Sequence, residues 1–329
     1  MKPNIREAIA ALKAGRPILL LDANDRENEG DLVVAAEKID AISMNFLIKK
    51  GSGVVCIAMP KNRLDALNLP MMHHDNTNTF QTAFTVSIEA KSGVSTGVSA
   101  KDRAHTIQVA IADHAQANDL ARPGHVFPLA AKPGGVFERM GHTEGSVDLM
   151  NMAGLKPGAV LCELMNADGS MTVGDERLGF AREHQIPVVT VEEILFHRIR
   201  YEHIVSVHTQ KTVPSRFGQL VWHQFEILGT KIDLFHSPSD LPDLLTLEIV
   251  NTQNLYQRFI GQALAPHDDD PLLVALGKFK HSTPHLVVAI IPEQDKRHHA
   301  LLARAIFIAL GYRKFCSKSN VIVREFYDH

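Results

Sequence analysis

Cysteine is scarce in this 329-residue sequence. Cys56, Cys162 and Cys316 are the only three, and they are far apart. That spacing rules out a disulfide framework and a cysteine zinc cluster. It also fits a reducing compartment, so a cytoplasmic location is expected. Long apolar runs are missing too: none reaches ~18 residues, the length needed to span a bilayer as a helix. The opening stretch MKPNIREAIAALKAG carries charge where a signal peptide has its apolar centre. Neither charge sign dominates, with 34 Lys and Arg against 37 Asp and Glu and a net charge of −3. This balance gives no general case for binding nucleic acid or an anionic membrane. The 18 histidines form no HExxH-type spacing. Internal repeats and low-complexity segments are absent. What remains is an ordinary globular composition, 45% hydrophobic and 22% charged, in a chain longer than one core usually serves, so two domains are expected.

The most unusual stretch is Leu19 to Ala36, LLLDANDRENEGDLVVAA. Asp25, Glu27, Glu29 and Asp31 fall at every second position, with Arg26 the only cation within the acidic run. If the run is extended, the four carboxylates point to one side, ~6.6 Å apart at roughly 3.3 Å per residue. Adjacent pairs would then repel by about 2.5 kcal/mol at an effective dielectric of ~20 and by about 0.6 kcal/mol in open water. A hard cation such as Mg²⁺ on this row would relieve the repulsion. A solvated acidic turn is the plainer account, but the apolar flanks read as buried strands that hold the acids between them.

Elsewhere the pattern alternates helix and strand. Ile5 to Leu12 has helical spacing, Ile39 to Lys50 reads as a helix, and VVCIAM at 54–59 is a short buried strand in which Cys56 could be simply a small core residue. His73 and His74 read as exposed loop residues, and Phe84 to Glu89 as a strand. The small-residue loop at 93–100 leads to a helix capped by Ser99, a weak candidate phosphate cradle. Arg139 beside a glycine-preceded helix start at about Glu144 is a second candidate. Glu163 sits inside the buried strand 160–164, where an outward-facing position accounts for a carboxylate. Near Arg200 the texture changes to successive strands, which places a domain boundary at about 200.

Seven motifs in order resemble 3,4-dihydroxy-2-butanone 4-phosphate synthase. They are DRENEGDL (25–32), SGVVCIAM (52–59), FTVSIEA (84–90), TGVSAKDRAHTI (96–107), RPGHVFPL (122–129), RMGHTEGSVDL (139–149) and CELMNADGSM (162–171). The resemblance covers residues 1–200 and implies a mixed-sheet α–β sandwich, an α+β fold. The implied activity is that of a lyase of riboflavin biosynthesis, turning ribulose 5-phosphate into 3,4-dihydroxy-2-butanone 4-phosphate and formate. It implies Mg²⁺, replaceable by Mn²⁺, with two ions per site, held by Glu27 and His142. It assigns substrate contacts to Arg26, Glu27, Asp31, Arg139, Met140, Gly141, His142 and Thr143. Catalytic roles fall to His125, Glu163, Asp31 and Cys56, with Asp31 as first base aided by Glu29 and Cys56 lining the site. It also implies a homodimer in which His125 serves the neighbouring subunit. A Mg²⁺-dependent sugar-phosphate isomerase or aldolase would share the acidic loop and phosphate cradle, and release of formate would separate them from the synthase. A non-catalytic regulator binding a sugar phosphate is a third reading, less compatible with the full set Glu27, Asp31, His125, His142 and Glu163.

Residues 201–329 resemble a smaller α+β domain, that of GTP cyclohydrolase II, through VPSRFGQL (213–220) and LARAIFIALGYRKFCSKSN (302–320). That enzyme needs three zinc-binding cysteines, and only Cys316 lies beyond residue 200. No zinc and no cyclohydrolase activity are therefore expected. A substitute site from His236, His267 and residues 268–270 is the weaker account. Dimer support, regulation, or contact with another riboflavin-pathway enzyme would each suit this domain.

Overall fold

The structure, a computed structural model, describes residues 3–22, 27–202, 205–215, 218–227, 230–236, 246–251, 286–291 and 324–326. It divides into two compact units, Met1–His197 and Arg198–His329. Among the described residues no helix is long and apolar enough to cross a membrane.

The first unit begins with α1 (Pro3–Lys13), β1 (Ile18–Leu21), β2 (Gly30–Ala35), α2 (Ala41–Lys50), β3 (Cys56–Pro60) and α3 (Lys61–Ala66). It continues through β4 (Ile88–Ala90), α4 (Ala100–Ile111), β5 (Leu120–Ala131), α5 (His142–Ala153), β6 (Ala159–Glu163), α6 (Asp175–Glu183), β7 (Val188–Thr190) and α7 (Val191–Tyr201). Seven strands form one sheet in the order β4-β5-β3-β6-β2-β1-β7. β1–β7 and β3–β5 are parallel and the other pairs antiparallel. Every residue of β1 and β2 is buried, as expected of strands covered on both faces. Alternation sorts the side chains. Leu19, Leu21, Leu32 and Val34 join a core with Met44 and Leu47 of α2 and Ile107 of α4. The residues between them face the other way, where α5 lies across β1, β2, β3, β5 and β6. Asp40 and Ser43 form a reciprocal cap that starts α2, an arrangement worth about 1 kcal/mol.

Several boundaries differ from the sequence expectation. The second strand starts at Gly30, so the buried ladder already includes Asp31. The acidic row is not regularly extended: Asn28 has φ +58, which turns the chain between Glu27 and Glu29. Regular strand is confined to Ile88–Ala90, with only isolated bridges at Phe84 and Thr85. His73 and His74 are exposed and lie outside any strand, with rings stacked at 4.6 Å.

In the second unit β8 (Val205–Ser215), β9 (Gly218–Ile227), β10 (Thr230–His236), β11 (Thr246–Asn251), β12 (Leu286–Ile291) and β13 (Arg324–Phe326) form a sheet ordered β13-β11-β12-β10-β9-β8. β10 was not expected from the sequence. Its residue Phe235 stacks on Trp222 of β9, whose indole N–H donates to Asp233 at 2.8 Å. Cys316, His267 and residues 268–270 lie outside the described residues, as does the side chain of His236.

Candidate active site

A cavity of about 390 Å³ opens on the face of the first sheet that carries α5. Strand pairing explains its acidic floor. Asp31 of β2 sits directly opposite Glu163 of β6, and Cys56 of β3 opposite Leu161. Cross-strand partners project to the same face, so two carboxylates and a thiol come together from three strands. Glu27 and Glu29 reach the cavity from the loop before β2, and Arg139, His142 and Thr143 from the start of α5. Asn78, Phe80, Thr82 and Phe84 close another side.

The acidic loop is held from below. Both carboxylate oxygens of Asp22 accept backbone N–H groups, from Glu27 at 3.0 Å and Glu29 at 2.9 Å. The buried Arg177 of α6 donates to the Glu29 carbonyl at 2.9 Å and the Asn28 side chain at 3.0 Å. Neither Asp22 nor Arg177 stands out in the sequence. Asp22 follows a hydrophobic strand at the spacing of a turn-forming acid, but Arg177 is 148 residues from Glu29 and left no local signal.

The electrostatics are strained by design of the ladder. Burial, followed by Glu163, Glu27, Glu29 and Asp22, pushes the Asp31 carboxyl well above the ordinary carboxylate range. Its Oδ1 is buried without a hydrogen-bond partner, 3.4 Å from His142 Nδ1. His142 Nδ1 is also 3.9 Å from Glu27 Oε2. Burial likewise raises the Cys56 thiol, with Asp31 and Glu163 adding to it, so Cys56 is a protonated wall of the cavity and not a ready nucleophile. Cys162 also borders the cavity while packing into the core cluster, its sulfur 3.8 Å from Ser52 Oγ.

One atom each from Asp22, Glu27 and His142 lie within 4.8 Å of one another. Carboxylates with a single imidazole make a donor set suited to Mg²⁺ or Mn²⁺, and the unsatisfied Asp31 oxygen marks where positive charge is missing. The residues present therefore fit a divalent cation.

Arg139 lines the same cavity. Arg139 Nη1 contacts the fully buried Glu144 at 2.7 Å, while Nη2 donates to Phe80 O at 3.1 Å and Thr82 Oγ1 at 3.2 Å. Its guanidinium lies where a side chain at Gly141 would be, so any larger residue there would displace it. Gly141 is the N-cap of α5 and provides no side-chain cap, leaving the helix's positive end for an anion.

Of the residues implied by the resemblance, Glu27, Asp31, Cys56, Arg139, His142, Thr143 and Glu163 all line the cavity. Met140 and Gly141 lie in the same turn but are not lining residues, and Arg26 is outside the described residues, as is Asp25. His125 is not a lining residue either. It lies on β5, two residues before the partner of Cys56, with its ring paired to Glu89. The loop at 93–100 is no phosphate cradle: Asp102 already accepts from Ser95 N at 3.2 Å, Ser95 Oγ at 2.8 Å and Gly97 N at 3.1 Å.

Residues 6–197 match the family described as 3,4-dihydroxy-2-butanone 4-phosphate synthase. A relative of that name from Pectobacterium carotovorum is 52% identical over 202 residues, 61% of this chain and 93% of the relative. Another, from Chloroherpeton thalassium, is 54% identical over 198 residues, 60% of this chain and 87% of the relative. Among solved structures, a 3,4-dihydroxy-2-butanone 4-phosphate synthase in complex with two magnesium ions is similar at a TM-score of 0.59 and 39% identity, covering 60% of this chain and 97% of that one. RibBX from A. baumannii, a two-domain synthase of the same name, is similar at a TM-score of 0.70 and 29% identity, covering 98% of this chain and 99% of that one.

Proposed function

Through residues 6–197 the chain belongs to the 3,4-dihydroxy-2-butanone 4-phosphate synthase family, and from that membership we propose how its cavity carries out the reaction. The protein is a lyase of riboflavin biosynthesis, converting D-ribulose 5-phosphate to L-3,4-dihydroxy-2-butanone 4-phosphate and formate. The observation that carries the site assignment is the single cavity joining Glu27, Asp31, His142 and Glu163 to Arg139.

The substrate phosphate lies against Arg139 and the first turn of α5, which sets the sugar chain across the acidic floor. The backbone of Met140 and Gly141 adds contacts at that end, and the family resemblance makes Arg26 a further substrate contact. Glu27 and His142 would hold Mg²⁺, with Asp22 close enough to join them. Such an ion would supply electrostatic stabilisation of negative charge developing on the substrate. The two-magnesium relative supports Mg²⁺ and a two-ion site, and the mixed donor set suits Mn²⁺ as a substitute. Asp31 is the base that takes the C3 proton. It is buried at the cavity floor with one oxygen unsatisfied, and Glu29 assists from the loop above. Glu163, facing Asp31 across the ladder, serves a later proton transfer, and His125 another. Phe80, Phe84 and Cys56 limit water around reactive intermediates.

His125 stands at the sheet end that carries the cavity, but on β5 and outside its lining. This supports a homodimer in which His125 of one subunit completes the site of the other. Glu27→Gln and His125→Asn proteins, each inactive alone, should then recover part of the activity when mixed and re-equilibrated. Failure to recover any, with dimers exchanging, would remove the shared site.

Residues 201–329 form a cyclohydrolase II-like domain without cyclohydrolase activity. The motif resemblance supports the fold, a two-domain synthase that aligns along 98% of the chain supports the architecture, and the single cysteine beyond residue 200 supports the missing activity. Pure protein supplied with zinc should make no formate from GTP. A contact with another riboflavin-pathway enzyme and a cytoplasmic location complete the reading.

The deciding experiment for the first domain is formate release from ribulose 5-phosphate by the full chain with Mg²⁺ and with a chelator. Metal-dependent formate with a four-carbon phosphate is expected. Correctly folded, metal-loaded protein that releases none would end this assignment.

A further inference from the structure

Glu89 lies in the motif FTVSIEA and has no part in the cavity, yet it is built into the molecule with unusual care. β4 and β5 pair Ile88 with Val126 but Glu89 with Ala121. Residues 122–125 are thus an outward bulge of β5, and bulges re-aim the side chains they carry. His125 ends this bulge and its ring is 48% exposed. Glu89 is only 18% exposed, and its Oε2 is 2.6 Å from His125 Nδ1. A short contact of this kind is charge-assisted in strength.

The far side of Glu89 is walled. Gly97 has φ +79, and a methyl group on it would collide with the Glu89 carboxylate. Gly97 is in turn fixed by Asp102, which accepts its N–H and holds Ser95 by both backbone and hydroxyl. The Ser95 hydroxyl leads the contacts that keep Asp102 below the ordinary carboxylate range. Asp102 is anchored at the start of α4, where Ser99 Oγ accepts its N–H at 3.0 Å. Helix, loop, glycine and carboxylate therefore back one another up to the imidazole.

We propose that Glu89 is a positioning residue for the synthase reaction: it accepts the Nδ1–H of His125, so that the exposed ring presents Nε2 as its free, proton-accepting nitrogen. The ring's other nitrogen decides what its reactive one can do, and a carboxylate partner selects the tautomer and steadies the ring. This inference rests on the proposed catalytic role of His125. It adds that the role depends on a carboxylate on the neighbouring strand, and that the loop at 93–99, with its small residues, exists to hold that carboxylate in place.

The test uses full-length Glu89→Gln, which keeps the side-chain shape. Its kcat should fall at least about 10-fold, the lower bound seen when the partner orienting a functional histidine is lost, while KM for ribulose 5-phosphate and Mg²⁺ affinity stay within about twofold. Gly97→Ala, which displaces the carboxylate without removing it, should show the same split once circular dichroism establishes a native fold. In ¹⁵N-histidine spectra, with His125 assigned by its loss in His125→Asn, the neutral wild-type ring should carry its proton on Nδ1. In Glu89→Gln the proton should spread over both nitrogens. Full kcat in Glu89→Gln beside an inactive His125→Asn would overturn the positioning role alone. An unchanged ring tautomer would overturn it too. Full turnover in His125→Asn would instead overturn the role given to His125, and the positioning role with it.

Discussion

Two helices of the synthase unit begin in the same way and end up with opposite uses. α4 follows a loop of small residues and α5 a single glycine, and each looks like a place for phosphate. At α4 the loop amides are taken by Asp102 and the helix is capped by Ser99. The molecule supplies its own anion there. At α5 the cap is Gly141, with no side-chain acceptor, and Arg139 lies beside it at the mouth of an acidic cavity. The positive end of a helix is thus only an opportunity. Whether a ligand can use it depends on whether a carboxylate from the same chain got there first.

The comparison can be broken most sharply at Arg139. Arg139→Lys keeps one charge but loses the fork that contacts Glu144, Phe80 and Thr82. KM for ribulose 5-phosphate should rise about 10–100-fold, matching ~1.5–3 kcal/mol for a hydrogen bond to a charged group. An unchanged KM would mean that the phosphate lies elsewhere.

A smaller effect, on stability, separates the cavity floor from its walls. Asp31 is held above its ordinary range by burial and by four carboxylates. A carboxyl whose folded-state pKa exceeds its unfolded value of ~3.9 contributes most below that value. The contribution is lost as pH rises through the folded pKa. Metal-free protein is therefore penalised by Asp31 at neutral pH, and Asp31→Asn should melt higher than wild type in chelator at pH 7. The gain should be about 1–3 kcal/mol, or about 2–4 °C per kcal/mol for a unit of this size. The gap should narrow toward pH 4. A lower melting temperature for Asp31→Asn at pH 7 would show that Asp31 has a partner that outweighs its neighbours.

The smallest effect on substrate binding belongs to the α4 side. Asp102→Asn should lower the melting temperature while leaving KM for ribulose 5-phosphate within about twofold of wild type. A large rise in that KM would give the α4 loop a share in phosphate binding and erase the contrast between the two helices.

These differences also mark what a reader of the sequence could see. Buried strands, most helices and eight cavity residues are legible, because hydrophobic period and local motifs carry them. The roles of Asp102 and Glu89 are not. A carboxylate that fills a loop three to seven residues upstream looks, in sequence, like any helical surface acid. Glu89 meets His125 across a bulge 36 residues away, and Arg177 braces the acidic loop from 148 residues away. The two-residue spacing of the four acids implies an extended row, but Asn28 at φ +58 bends it. Three of its members still converge, through the turn and the ladder and not through a two-residue period. β10 was overlooked because TKIDLFH mixes polar and apolar residues in a short run, and only pairing to β9 and β12 defines it.

The claim that matters most is that the cavity beneath α5 expels one carbon of a sugar phosphate. Ribulose 5-phosphate labelled with ¹³C at C4, given to the full chain with Mg²⁺ and followed by NMR, tests it directly. The label should appear in formate, leave the four-carbon phosphate unlabelled, and stay in the substrate when a chelator is added. Label retained in a phosphorylated product under Mg²⁺, with no formate, would contradict the account.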